Sequence, residues 1–298
     1  QVIQTGDVYT ANEYIQMILD GHELPEPDDS RDIFEEFFFD KRPPIEAYLE
    51  SEHDKNRPTW SQIAAGLKNH ASNLRNTFRL GPIDLTHIRG PQARSAAEMI
   101  ENWFTLKRLR ADRFEPRYLN AFLEALGFHE VTSSILLRGS KSHWVNVRTR
   151  PIEDRALCPV PQYGSLARGV YRFLLLWDRP IEDAIYSEVG ETAGAAPVIV
   201  AHFGRLTEKR RRDLISPTRG QPRSFLVLDD TLVLFLCGEK QMRLPSFFAC
   251  TLPFTFLNPY STTAGLVPPE VFFGRSHERN KIMDPLGSCF IYGGRQLG

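Results

Sequence analysis

Three nearly continuous apolar runs constrain this chain more than any other feature: residues 171–177 (YRFLLLW), 197–203 (PVIVAHF) and 223–229 (RSFLVLD). Apolar runs of this length, without polar alternation, are the signature of strands buried on both faces. Between them lie "PIEDAIYSEV" and "TEKRRRDLI", which read as helices, with Pro180 near the start of the first and Thr207 as the N-cap of the second. The order is βαβαβ. Right-handed crossovers would fold it into a small parallel sheet with helices packed on it, so the expected class is mixed α/β.

Upstream the pattern changes to helical. Tyr14, Ile15, Ile18 and Leu19 recur at helical spacing, as do Ile33, Phe34, Phe37 and Phe38. The prolines of "GHELPEPDDS" and "KRPP" are expected to break these helices. Residues 57–80 would form two short helices meeting near Lys68 and Ala71, somewhat like a helix-turn-helix. Arg75 and Arg79 could then face DNA phosphates or base edges, although an ordinary antiparallel pair has the same pattern. Further helices are expected over about 91–110 and in "FEPRYLNAFLEALGF", where Tyr118, Phe122, Leu123 and Leu126 share one face and Gly127 is the C-cap.

Strand-like "VTSSILLRG" and "HWVNVRTR" follow. A helix followed by strands also opens many restriction-endonuclease-like domains, but no D…E-x-K set for Mg²⁺ accompanies these strands, which argues against an active nuclease. The expected organisation is a mainly helical region over residues 1–108 and a small Rossmann-like α/β domain over 109–252. A proline-rich connector and a last segment then occupy 253–298.

Residues 1–60 carry 15 acidic against 5 basic side chains, a balance of −10 inside a chain of net charge −1. Such asymmetry suits docking of an acidic lobe on a basic remainder, or a basic face kept for a polyanion. The densest basic cluster is Lys209, Arg210, Arg211 and Arg212, a candidate contact for nucleic-acid phosphates, although a solvated helix face explains it equally. The four cysteines lie far apart with no C-x-x-C pair, so neither a disulfide framework nor a zinc site is expected. No apolar run approaches the roughly 18 residues of a membrane span, and the expected location is cytoplasmic.

In open parallel sheets ligands collect outside the carboxyl ends of the strands, which here carry Asp178, His202, and Asp229 with Asp230. These residues could bind a phosphorylated small molecule or Mg²⁺; alternatively they cap the helices that follow. No metal site is expected on other grounds.

The last stretch carries the most specific motif. Gly274, Arg275 and Glu278 in "FFGRSHER" precede a short apolar run and then Gly293, Gly294, Arg295, Gln296, Leu297 and Gly298, which fit the first six places of G-x-x-x-x-G-K-[ST]. Over residues 270–298 the chain resembles the entry to the ATPase module of STAND and related AAA+ proteins. That resemblance implies a bacterial P-loop ATPase that uses ATP and Mg²⁺, with residues 1–252 as a sensing, docking or oligomerisation region, and it suggests a place in defence against phage or mobile DNA. The partners it implies are the rest of the ATPase chain and further copies of the same chain; nucleic acid is the partner that residues 57–80 and the 209–212 cluster suggest. Residues 293–298 supply the phosphate cradle without its lysine or metal-binding hydroxyl, so this fragment is expected neither to hydrolyse ATP nor to bind it tightly.

Overall fold

The computed structural model describes residues 32–51, 58–70, 79–88, 90–178, 196–214, 224–239, 243–255, 268 and 270. Helix α1 (Ile33–Glu35) starts at Asp32, whose carboxylate accepts from the amides of Phe34 and Glu35. It continues through a π-helical stretch (Glu36–Lys41) into α2 (Arg42–Glu50). The break expected at "KRPP" does not occur. Pro43 and Pro44 fall in the first turn of α2, where a missing N–H is tolerated. The preceding turn widens so that the Arg42 amide bonds to Phe37 O, five residues back, which keeps the proline rings off the carbonyls behind them.

Helix α3 (Trp60–His70) buries Ile63, Ala64 and Leu67, as its spacing predicts. Residues 71–78, with Arg75, lie outside the described residues. The second helix of the expected pair does not reach Leu80, because β1 (Arg79–Leu80) pairs antiparallel with β2 (Ile83–Asp84). Arg79 is exposed there, 3.9 Å from Asp84. Helix α4 (Gly90–Leu109) is followed by α5 (Pro116–Leu126), which begins with proline and ends at Gly127. Gly127 takes a φ of 118°, and the amides of Gly127 and Phe128 return to the carbonyls of Glu124 and Leu123, so the terminal acceptors of α5 are satisfied.

The sheet orders its strands as β3 (Thr132–Arg138), β4 (Ser142–Arg148), β5 (Val170–Trp177), β6 (Val198–Phe203) and β7 (Phe225–Leu228). β5, β6 and β7 are parallel, as the apolar runs imply. On the other side two antiparallel strands extend the same sheet: a tight turn at residues 139–141 makes β3 and β4 a hairpin, and β4 pairs antiparallel with β5. Helix α6 (Glu208–Asp213) is capped by Thr207, as expected, whereas the helix expected over residues 180–189 lies outside the described residues. Two helices not anticipated from sequence follow β7: α7 (Asp230–Cys237) and α8 (Arg243–Thr251).

One apolar core runs from Phe37 to Phe254 and crosses the expected boundary at residues 108/109 without a break. Its centre is aromatic. Trp177 and Phe203 are register partners on β5 and β6 with ring centroids 4.9 Å apart; Trp103 of α4 packs 4.8 Å from Phe203, and the Trp177 indole donates to Leu106 O. The free thiols of Cys158, Cys237 and Cys250 are also buried. No helix among the described residues is long and apolar enough to cross a membrane.

Candidate functional site

The carboxyl ends of β5, β6 and β7 do not gather the four side chains that sequence places there into one ligand set. Asp229 is fully buried. Its Oδ1 accepts from Arg211 Nη2 at 2.5 Å and from the Leu232 amide at 3.0 Å, and its Oδ2 accepts from the Leu206 amide at 2.9 Å. It therefore caps α7 and ties the loop after β6 to the end of β7. Asp230 is buried beside it, with Oδ1 accepting from Trp103 Nε1 at 2.8 Å and Oδ2 from Lys107 Nζ at 2.6 Å. His202 alternates with Phe203 and so faces the other side of the sheet, against Gly204, where an added Cβ would lie 2.8 Å from His202 Cε1. Only Asp178 is exposed. Among the described residues no group of three or more His, Cys, Asp or Glu side chains is placed to hold a metal ion.

Burial dominates at Asp230 and pushes its carboxyl up to about 6, against the opposing pull of Lys107 and the Trp103 indole. Because the folded value exceeds the ordinary 3.8, the folded state holds this proton more tightly than the unfolded chain does. The contribution of Asp230 to stability is therefore highest at low pH and falls as pH rises between about 4 and 6. Asp230→Asn removes that loss, so it should gain on the wild type by about 2 kcal/mol between pH 4 and pH 7. Urea unfolding at both pH values checks this, and parallel stability profiles would count against it.

Beside Asp178 lies a cleft of about 510 Å³, between the start of α3, the last turns of α4 and the end of β5. Trp60 and Phe104 form one wall, stacked at 3.7 Å with their planes 5° apart. Lys107, Arg108 and Arg110 bring positive charge, and Thr59, Ser61 and Thr105 bring hydroxyls. Thr59 and Gln62 bond reciprocally as a capping box, fixing the start of α3. At the rim Arg110 and Asp178 approach to 3.4 Å, each with a left-handed backbone (φ of 57° and 47°). The cleft was hidden from sequence reading because its lining comes from three stretches up to about 120 residues apart; Asp178 and the basic end of α4 were its visible traces.

The basic cluster of α6 does not form one surface. Arg211 is 2% exposed, bound to Asp229 and set 5.2 Å from the centre of the Phe37 ring, which corrects its reading as a nucleic-acid contact. Arg212 bonds Glu208, which also takes Arg42. Lys209 and Arg210 are exposed. Arg205 binds Glu50 at 2.9 Å, so part of the charge asymmetry is spent on docking α2 against the loop before α6.

A second arrangement sits at the amino ends of the parallel strands. The Tyr163 hydroxyl donates to Val198 O at the start of β6, and the Tyr171 hydroxyl donates to Tyr163 O, fixing the loop that precedes β5. On that loop, Glu270 is held at 2% exposure: Oε1 accepts from the Ser165 amide at 2.6 Å and Oε2 from the Ser165 hydroxyl at 2.8 Å. Gly164 leaves room for the carboxylate, since a Cβ there would lie 2.2 Å from Glu270 Oε1. Nothing in the sequence marks this residue beyond a carboxylate following two prolines. Gly274, Arg275, Glu278 and residues 293–298 lie outside the described residues. No family profile, curated protein or solved structure matches the chain.

Proposed function

We propose that this chain is a sensing and docking region that controls a P-loop ATPase, with residues 274–298 as the entry to the nucleotide-binding unit. The observation that carries the coupling is Glu270. It stands four residues before Gly274 in sequence, and it is clamped onto a loop fixed to the start of β5 and β6. A buried carboxylate on a backbone N–H is either seated or released, because an intermediate position leaves a charge desolvated without a partner. Such a contact can therefore pass a change in the sheet on to the segment that follows. Supporting a regulatory rather than catalytic role, Asp229 and Asp230 are committed to buried structural bonds.

Two measurements test the reading. In the encoding reading frame, Lys followed by Ser or Thr directly after Gly298 is expected, and any other pair removes the ATPase. In the protein expressed from that whole frame, Glu270→Ala should change ATP turnover at least severalfold. Unchanged turnover would remove the coupling while leaving the ATPase assignment standing.

A further inference from the structure

We infer that the cleft between α3, α4 and β5 is a binding site for a free nucleotide, the ligand that a sensing region of this kind would report; the inference deepens the function proposed above. The position is the expected one, outside the carboxyl end of a parallel strand. Its volume of about 510 Å³ falls in the roughly 300–1,000 Å³ range of small-molecule sites.

The lining selects the ligand class. Of its two carboxylates, Glu101 is paired with Lys68 at 2.6 Å and Asp178 with Arg110 at 3.4 Å. Arg108 is exposed and forms no ion pair among the described residues. A phosphate is the anion that fits: two guanidinium groups bind its oxygens in forks, and the hydroxyls of Ser61 and Thr105 add donors. Trp60 and Phe104, stacked on one another, bring aromatic surface to the lining, which suits an aromatic base joined to that phosphate. Inorganic phosphate alone would leave this surface unused.

The rim geometry points the same way. A left-handed backbone at a residue other than glycine carries a steric cost, and both Arg110 and Asp178 adopt one. Their ion pair is solvent-exposed, with side-chain exposures of 67% and 58%, so by itself it returns little of that cost. At Arg110 the left-handed turn closes the end of α4, its amide returning to Leu106 O, and it sets the guanidinium at the rim, where it can exchange Asp178 for a phosphate oxygen.

Calorimetric titration of the 298-residue chain with ADP, GDP, adenosine, tripolyphosphate and a short single-stranded oligonucleotide tests the inference. One of the two diphosphates should bind at least tenfold more tightly than adenosine and tripolyphosphate, and Arg108→Glu should weaken it at least tenfold with the thermal melt unchanged. Absence of binding by both diphosphates overturns the inference. Tripolyphosphate binding as tightly as either overturns the role of the base, and an oligonucleotide binding more tightly still assigns the cleft to nucleic acid instead. Nucleotide binding that survives Arg108→Glu belongs to another segment, residues 293–298 first, and also overturns it. Neither Glu270 nor Ser165 lines the cleft, so failure here leaves the Glu270 test intact.

Discussion

Asp229→Ala should lower the free energy of unfolding by about 3–5 kcal/mol, because it strands the Arg211 guanidinium in the interior without its counter-charge. The same change removes the cap of the Leu232 amide and the acceptor of the Leu206 amide, so α7 and the loop before α6 both lose their anchor. Urea unfolding measures the loss. The pair Asp229→Leu with Arg211→Met should recover most of it, since two well-packed apolar side chains replace a buried ion pair at little cost. A single-variant loss below about 1 kcal/mol would mean that Arg211 reaches water when Asp229 is gone, and that the carboxylate could be released for other chemistry.

Gly164→Ala should expel Glu270 from its seat. The backbone at Gly164 has φ of −97° and ψ of −117°, outside the regions that alanine favours, so the change adds backbone strain to the clash of the methyl group. A cost of about 1–3 kcal/mol is expected for the two charge-assisted bonds lost at Ser165. Exchange of the Ser165 amide with deuterium should rise accordingly. The decisive comparison is a double-mutant cycle: in the Glu270→Ala background Gly164→Ala should cost only its backbone strain, clearly less than in the wild type. Additive losses would show that the methyl group meets something other than the carboxylate.

Much of the scaffold was legible in local chemistry. β5, β6 and β7 announced themselves because strands buried on both faces must be apolar throughout, and α5 did so through its proline start, apolar face and Gly127 cap. Helix α7 was illegible for the same reason that made the strands clear. All eight of its residues are buried, so "DTLVLFLC" has no polar face to reveal a helical period. "KRPP" misled because proline is a breaker only of the helix behind it, and here it opens the next turn.

The sites were harder to read than the fold. Asp229, Asp230 and Arg211 look like functional groups in one dimension, and only their contacts show Asp229 neutralised by Arg211 and Asp230 held by Lys107 and Trp103. The reverse holds for Trp60, Phe104 and Arg108, each unremarkable alone and joined to Asp178 only by packing α3 and β5 onto α4. A lone carboxylate such as Glu270 carries no local signal either, because its meaning depends on Gly164 and Ser165 more than 100 residues earlier.

The buried thiols give the molecule an internal clock. Burial pushes Cys158 and Cys237 up to about 12 and Cys250 well above its ordinary value, so almost no thiolate exists to meet an alkylating reagent while the fold is closed. Labelling at each position then proceeds only as fast as its own neighbourhood opens. Cys158 lies on the loop leading to Gly164, Cys237 at the end of α7 and Cys250 near the end of α8, so the three labelling rates time openings in different parts of one core.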